Sequence, residues 1–521
     1  MIGDLQANPA TIARHDSIGA AIHRAALRRR DRVALQFGER AWTYEALDRS
    51  ANRVARLLLE AGLEPGARLA AYGRNSDAYL LTWLGCVRAG VIHVPVNYAL
   101  RPDELGYIVR QCGASGIVCD GALAAAVAAS PGASAVAMQA RFHGGGTGLD
   151  MLSAALDDRI DDAAIDVGND EGIAQILYTS GTTAEPKGAV MTHAAFLTHY
   201  ASCMIAADMS AADRTLDGLP LYHAAQMHAF LMPHLLLGAT SVLIEAPEPA
   251  LCLRLIEEHR ITSFFAPPTV WIGLLRHDDF DRRDLTSLER IYYGASIMPV
   301  PVLEELRCRL PAAKPYNGYG QSEIGPLATM LRPEEHDARP ASAGRPVLNV
   351  ETRVVDEQMN DVPPGVPGEI VHRSPQLMLR YWDKPEETAQ AFEGGWFHSG
   401  DVAWQDEEGY LFVTDRVKDI INTGGVVVSS RDVEEALFTH PSVYEVAVIA
   451  LPDPKWIEAV TAVVVLRPGA DASEEALIEH ARATLAPFKV PKRVIFTDAL
   501  PRNTAGKLLK RELRTTYAAQ A

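Results

Sequence analysis

None of the six cysteines, Cys86, Cys112, Cys119, Cys203, Cys252 and Cys308, forms a Cys-x-x-Cys pair. That spacing excludes a zinc ribbon or a thioredoxin-type motif and suits reduced, mostly buried thiols in a cytoplasmic protein. No apolar run is long enough for a membrane helix. The Leu- and Met-rich stretch from Met227 to Leu237 is interrupted by His228, Pro233 and His234. No integral membrane segment is therefore expected. The N-terminus carries Asp4 and Asp16 and lacks a signal-peptide apolar block, and the C-terminus carries no retention or peroxisomal address. Positive charge is in deficit, with 49 Lys and Arg against 66 Asp and Glu and a net charge of −17. A chain of that balance is not a non-specific nucleic-acid binder, although a local basic pocket is compatible with it. His223 and His228 lack the His-Glu-x-x-His pattern, so no shared zinc is expected.

What is present describes a multidomain globular chain. A chain of 521 residues is too long for one core, and two or three domains are expected. Leu47, Ala51, Val54 and Leu58 repeat with helical period, predicting an amphipathic helix over 43–62 closed by Gly62. Short apolar strands such as 91–96, 116–118, 241–244 and 263–266 alternate with helical stretches, which implies α/β layers. Residues 121–165 are rich in Ala, Gly and Asp and contain Pro131 and Gly144-Gly-Gly146. They read as a weakly packed surface excursion. A boundary is expected near 414–418. Beyond it, Ser430 reads as the N-cap of a helix through Phe438. Strands at 444–451 and 459–466, a helix over 474–486, a strand at 493–496 and a polar tail complete an α+β unit.

The stretch Tyr178-Thr-Ser-Gly-Thr-Thr-Ala-Glu-Pro-Lys-Gly188 follows the apolar run Ile173–Leu177. It reads as a buried strand emptying into a loop suited to phosphate. Gly181 permits close approach of backbone N–H groups to an anion, and Ser180, Thr182 and Thr183 add hydroxyl donors. Lys187 adds a compact positive charge. The loop is not a Walker A sequence, because Lys187 is followed by Gly188 rather than Ser or Thr. Taken alone, its plainer alternative is a Gly/Thr turn between two elements.

Further motifs follow in order: Pro220-Leu-Tyr-His223, Tyr316-Asn-Gly-Tyr-Gly-Gln-Ser-Glu323, Gly368-Glu-Ile370, Trp396-Phe-His-Ser-Gly-Asp401, Asp415-Arg-Val-Lys-Asp419 with Gly424-Gly425, and Pro501-Arg-Asn-Thr-Ala-Gly-Lys507. Over roughly residues 20–515 the chain resembles the adenylate-forming superfamily of acyl-CoA synthetases, luciferases and adenylation domains, and acyl-CoA synthetases above all. The resemblance implies an α/β fold: a large N-terminal domain, 1–417, of two α/β subdomains plus a small β-barrel, and a small mobile α+β C-terminal domain, 418–521, hinged at Lys418.

The resemblance also implies roles. Tyr319, in a Gly-rich turn, stacks on adenine, with Ala295, Asn317, Gly318, Gly320, Gln321 and Ser322 around the nucleotide. Glu323 offers a hard oxygen to Mg²⁺, aided by Thr179. Asp401, in a turn after Ser399-Gly400, accepts the ribose hydroxyls. Arg416 reaches the ribose or α-phosphate. Lys507 bridges the acid and the α-phosphate where charge develops. His223, Ala224, Gly294 and Gly318 wall the acyl pocket, and Gly424 and Gly425 line a thiol channel. His228 and His234 read as packing.

The implied activity is that of an ATP- and Mg²⁺-dependent carboxylic acid–CoA ligase. An acyl-adenylate forms first, and its acyl group passes to coenzyme A after the C-terminal domain rotates. Small apolar residues after His223, and no Asp between Tyr222 and Glu245, point to a hydrophobic acid rather than an amino acid. A homodimer is left open. Ala184, Val426-Val427-Val428 and Ile457 depart from the family pattern. Val427 leaves an amine or a carrier-protein thiol open as acceptor. A nucleotide-binding module without catalysis and a luciferase-like oxygenase are the readings of other classes.

Overall fold

The computed structural model describes residues 16–144, 148–169, 171–179, 185–296, 298–416, 421–423, 426–453, 456–502 and 508–518, with the backbone alone at 415, 416, 422, 426 and 427. Two large sheets dominate. The first has seven strands, ordered Leu149–Asp150, Met138–Arg141, Gly116–Cys119, Arg68–Tyr72, Ile92–Val96, Ile173–Thr179 and Lys187–Thr192. It is parallel up to its last pair, an antiparallel hairpin in which Thr179 faces Lys187. The second has nine strands, with a parallel centre through Val33–Phe37, Thr240–Leu243, Arg214–Asp217, Ser263–Phe265, Arg290–Gly294 and Lys314–Tyr319. Parallel strands need crossovers and helices over both faces, which is why many of the strands read as short, largely apolar runs.

The largest core lies where the helices Tyr44–Glu60 and Asp77–Ala89 pack on each other and on the first sheet. Tyr44–Glu60 is the helix expected from the heptad-like repeat, capped by Thr43, whose hydroxyl accepts from Ala46 N. The excursion expected at 121–165 is a correction. Strands Met138–Arg141 and Leu149–Asp150 extend the first sheet, and Phe142, Met151 and Ala155 are fully buried. The Phe142 ring stacks on Tyr79 at 5.0 Å. A few deeply placed side chains anchor the stretch, too sparse to register as a period.

The small β-barrel expected after the two α/β subdomains corresponds to a four-stranded antiparallel sheet of Glu351–Val355, Gly368–Arg373, Phe397–Gln405 and Leu411–Arg416. The C-terminal unit carries a five-stranded sheet built on the long pair Val443–Asp453 and Ile457–Leu466. Helices Ser430–Phe438 and Glu474–Thr484 flank it. Two details differ from expectation. Ser429, not Ser430, holds the N-cap position, and Ser430 instead meets Lys510. The polar tail ends in a helix, Lys510–Ala518, because Leu513 buries against the sheet. Arg431 ties this unit to the preceding one, donating to the carbonyls of Val413 at 2.6 Å and Ala341 at 3.0 Å. The expected boundary at 417/418 lies outside the described residues.

Candidate active site

Thr179 ends a parallel strand of the first sheet, and Gly294 and Tyr319 end neighbouring parallel strands of the second. The carboxyl ends of parallel strands are where open α/β sheets bind ligands. Gly294 and Gly318 face each other across the pair, and a Cβ on Gly294 would stand 2.2 Å from the Gly318 carbonyl oxygen. The two backbones approach too closely there for any side chain on Gly294. Ala295 follows, exposed and with φ of 61°. Asn317 donates from Nδ2 to the Ser342 carbonyl at 2.8 Å.

Two buried carboxylates sit beyond these strand ends. Glu323 lies in the 3₁₀ turn Ser322–Ile324. Its Oε1 accepts from the Thr179 hydroxyl and the Tyr381 hydroxyl, each at 3.1 Å. Its Oε2 carries no hydrogen bond among the described residues. Asp401 accepts at Oδ2 from the Tyr319 hydroxyl and from Gln321 Nε2, both at 2.8 Å. Gln321 also donates to the Tyr319 oxygen at 2.7 Å. Burial, and then the adjacent carboxylate, pushes both phenols above the ordinary tyrosine range, so Tyr319 and Tyr381 remain donors at neutral pH.

The structure corrects two local expectations. Tyr319 is the last residue of the strand Lys314–Tyr319 rather than part of a turn. Asp401 lies within the long strand Phe397–Gln405, not in a turn. Gly400 before it has φ of 69°, a conformation that spares glycine the usual cost and kinks the strand at that point. Glu369, of the Gly-Glu-Ile motif, braces the kink: its Oε1 accepts from Gly400 N at 3.0 Å. Backbone pairing places Asp401 opposite Arg416.

Tyr381 escaped the sequence reading. It belongs to no phosphate or metal signature, and its only sequence cue is an aromatic pair with Trp382. The Lys187 ammonium lies 5.3 Å from the centre of its ring. His223 is half-buried and packs on Tyr222 with ring centres 4.6 Å apart. Ala224 is buried at the head of a π-helical stretch, Ala225–Leu231, an arrangement frequent at functional sites. Phe230 on that stretch stacks on Phe265 at 4.1 Å. His228 and His234 are packing residues. His228 lies between Tyr200 and Gln175, each 2.8 Å away, and His234 bonds to the Phe230 carbonyl at 2.8 Å.

Of the remaining candidates, Ser180, Gly181, Thr182, Thr183, Lys418, Gly424, Gly425 and Lys507 lie outside the described residues, as does the side chain of Arg416. The donor set at Glu323 and Thr179 is all oxygen. One carboxylate with a hydroxyl suits Mg²⁺ carried in with phosphate, since that ion keeps most of its shell for water and nucleotide. Among the described residues no group of three or more His, Cys, Asp or Glu could hold a metal by itself.

Comparison with known proteins agrees with this layout. The family model described as AMP-binding enzyme matches residues 22–382, and the model of the AMP-binding enzyme C-terminal domain matches 432–507. A feruloyl-CoA synthase from Amycolatopsis is 36% identical over 485 residues, covering 93% of this chain and 96% of the relative. The structure of the anthranilate CoA ligase AuaEII superposes with a TM-score of 0.90 at 26% identity, over 97% of this chain and 98% of the other. The amide bond synthetase McbA from Marinactinospora thermotolerans superposes with a TM-score of 0.87 at 29% identity, over 96% and 99%.

Proposed function

We infer the function from one premise: the chain belongs to the AMP-binding enzyme family, the adenylate-forming superfamily. We propose that it is an acid–CoA ligase. It joins a carboxylic acid to coenzyme A at the expense of ATP, through an acyl-adenylate, and releases AMP and pyrophosphate. The observation that carries the reading is the pair of buried carboxylates at the converging strand ends, each already oriented by neutral donors.

In this reading Asp401 accepts the ribose hydroxyls. Tyr319, whose hydroxyl is fixed to that same carboxylate, stacks on adenine. Ala295, Asn317, Gly318, Gly320, Gln321 and Ser322 surround the base. Glu323 and Thr179 hold Mg²⁺, which when bound neutralises phosphate charge. Lys187, with Ser180, Gly181, Thr182 and Thr183, orients the β- and γ-phosphates. Lys507 bridges the acid oxygen and the α-phosphate, where a preorganised cation is worth most. Arg416 reaches the ribose or α-phosphate. The unit beyond 418 turns about Lys418, withdrawing Lys507 and bringing Gly424 and Gly425 to the thiol. Rotation of this kind lets one site serve two chemistries.

The acid is hydrophobic. His223, Ala224, Gly294 and Gly318 bound its pocket, and Phe230, which stacks on Phe265, lies on the helical stretch that Ala224 heads. The feruloyl-CoA synthase and anthranilate CoA ligase among the similar proteins support a ring-containing acid, and a medium/long-chain-fatty-acid–CoA ligase from Mycobacterium tuberculosis, 40% identical over 68% of this chain, supports an alkyl one. The likeness to an amide bond synthetase supports a second reading, in which an amine takes the acyl group.

The test is pyrophosphate release with MgATP across fatty, aryl and polycyclic acids, with and without coenzyme A, with products identified by mass. A thioester is expected. Pyrophosphate and adenylate without a thioester, and an amide when an amine is added, would move the chain to the second reading. Lys507→Ala is expected to slow pyrophosphate release on the order of 10²–10³-fold. Unchanged release with that variant would defeat both readings.

A further inference from the structure

The segment Gln376–Trp382 enters from the small four-stranded sheet, yet it touches both sides of the phosphate end of the site. Leu379 N donates to the Val190 carbonyl at 2.8 Å, Val190 N to the Arg380 carbonyl at 2.9 Å, and Trp382 N to the Gly188 carbonyl at 2.7 Å. The segment thus runs as a short extra strand along the hairpin that carries Lys187, with Ala189 bridged to Tyr381. On its other side Met378 N donates to the Glu323 carbonyl at 2.7 Å. Gln376 Nε2 donates to the carbonyls of Ile324 and Leu327 at 2.9 and 2.6 Å. One stretch of backbone therefore splices the phosphate hairpin of the first sheet to the Glu323 turn of the second.

The Tyr381 side chain repeats the splice. Its hydroxyl donates to Glu323 Oε1 at 3.1 Å, and its ring lies 5.3 Å from the Lys187 ammonium. A carboxylate with two donors on one oxygen is held in one orientation, which leaves Oε2 for a further partner. A lysine loses rotamer freedom when fixed, and a ring face beneath its ammonium meets part of that cost beforehand.

We propose that Tyr381 is the positioning residue that sets the spacing between the carboxylate Glu323 and the cation Lys187, and so the fit of metal-bound polyphosphate between them. The inference rests on the roles given to those two residues above. Tyr381 touches neither substrate nor metal itself and acts through both neighbours.

Tyr381→Phe removes the hydroxyl and keeps the ring, and Tyr381→Leu removes both. Binding of ATP to the full chain is measured by calorimetry, with Mg²⁺ and with chelator. Tyr381→Phe is expected to weaken MgATP binding about tenfold, the effect of one hydrogen bond to a charged group. Its binding of metal-free ATP should match that of the parent. Tyr381→Leu is expected to weaken metal-free binding as well, because Lys187 loses its support. Glu323→Gln provides the reference. If Tyr381 acts through that carboxylate, Tyr381→Phe costs nothing further in the Glu323→Gln background. Equal MgATP binding by Tyr381→Phe and parent would overturn the proposal, and so would an equal loss with and without Mg²⁺. If Glu323→Gln itself left the Mg²⁺ dependence untouched, the assignment of Glu323 would fall instead. Thermal melting within a few degrees of the parent confirms that Tyr381→Phe is folded, and if it melts early the same comparison is made with Tyr381→His, which keeps a ring and a donor and is expected to hold MgATP binding closer to the parent than Tyr381→Leu does.

Discussion

Glu323 and Asp401 are the same device built twice, and they differ in who holds them. Each is a buried carboxylate with one oxygen taking two neutral donors. Asp401 receives both donors from one motif, Tyr319 and Gln321, two positions apart at a strand end. Glu323 receives its donors from Thr179 and Tyr381, 144 and 58 residues away in the chain. The Asp401 end of the site therefore joins two elements, with donors 82 and 80 residues away that come from a single short stretch. The Glu323 end exists only where the first sheet, the second sheet and the segment before Trp382 meet. Its geometry is set by how whole layers pack.

The comparison can be broken in order of expected effect. Glu323→Gln should lower the adenylation rate on the order of 10²-fold, read as pyrophosphate exchange, with a raised Mg²⁺ requirement. Asp401→Asn should act mainly on binding, raising the KM for ATP about tenfold while leaving the Mg²⁺ requirement unchanged. Matching profiles for the two variants would mean that the two carboxylates are not functionally distinct.

A smaller effect concerns the histidines behind each half. His93 bonds through Nδ1 to Gln175, on the strand ending in Thr179, and His372 lies beside Tyr319 and bonds to Thr352. Burial pushes each pKa down to about 3. A histidine with a depressed folded pKa binds fewer protons folded than unfolded between about pH 3 and 6.5. Its contribution is then full above about pH 6.5 and is lost as pH falls, by about 1.4 kcal/mol per pH unit for each histidine. Denaturant unfolding at pH 7 and pH 5.5 should show that loss, and His372→Gln should shrink the difference relative to the parent. A parent stability independent of pH in this window would contradict the neutral assignment.

The smallest expected change lies away from both carboxylates. Ile457 has φ of 69° with its side chain 63% exposed, so a β-branched residue occupies the left-handed region with little burial in return. Ile457→Gly should stabilise the chain by about 0.5–1 kcal/mol, with pyrophosphate exchange unaffected. A loss of stability would show that the side chain packs usefully in solution.

Much of the fold was legible because apolar runs and helical repeats are local. Leu47, Ala51, Val54 and Leu58 sit on one face of Tyr44–Glu60, and all four are fully buried. The stretch 121–165 was misread because Phe142 and Met151 bury singly, with no period to mark them. At the site, Thr179, Tyr319, Glu323 and Asp401 were legible from motifs. Tyr381 was not, since its meaning is the crossing of the segment that carries it with the Lys187 hairpin. Asp401 was found but placed in a turn, because Gly400 signals a break in local conformation without saying that pairing resumes on either side.

By itself the sequence determined which residues carry charge, hydroxyl and ring at the site, and where strands and helices begin, since both depend on neighbours within a few positions. Tertiary structure alone decided that Thr179, Glu323, Tyr381 and Lys187 come together. The distances between them follow from the packing of two sheets and a crossing segment, and no pattern of nearby residues encodes how separate layers meet.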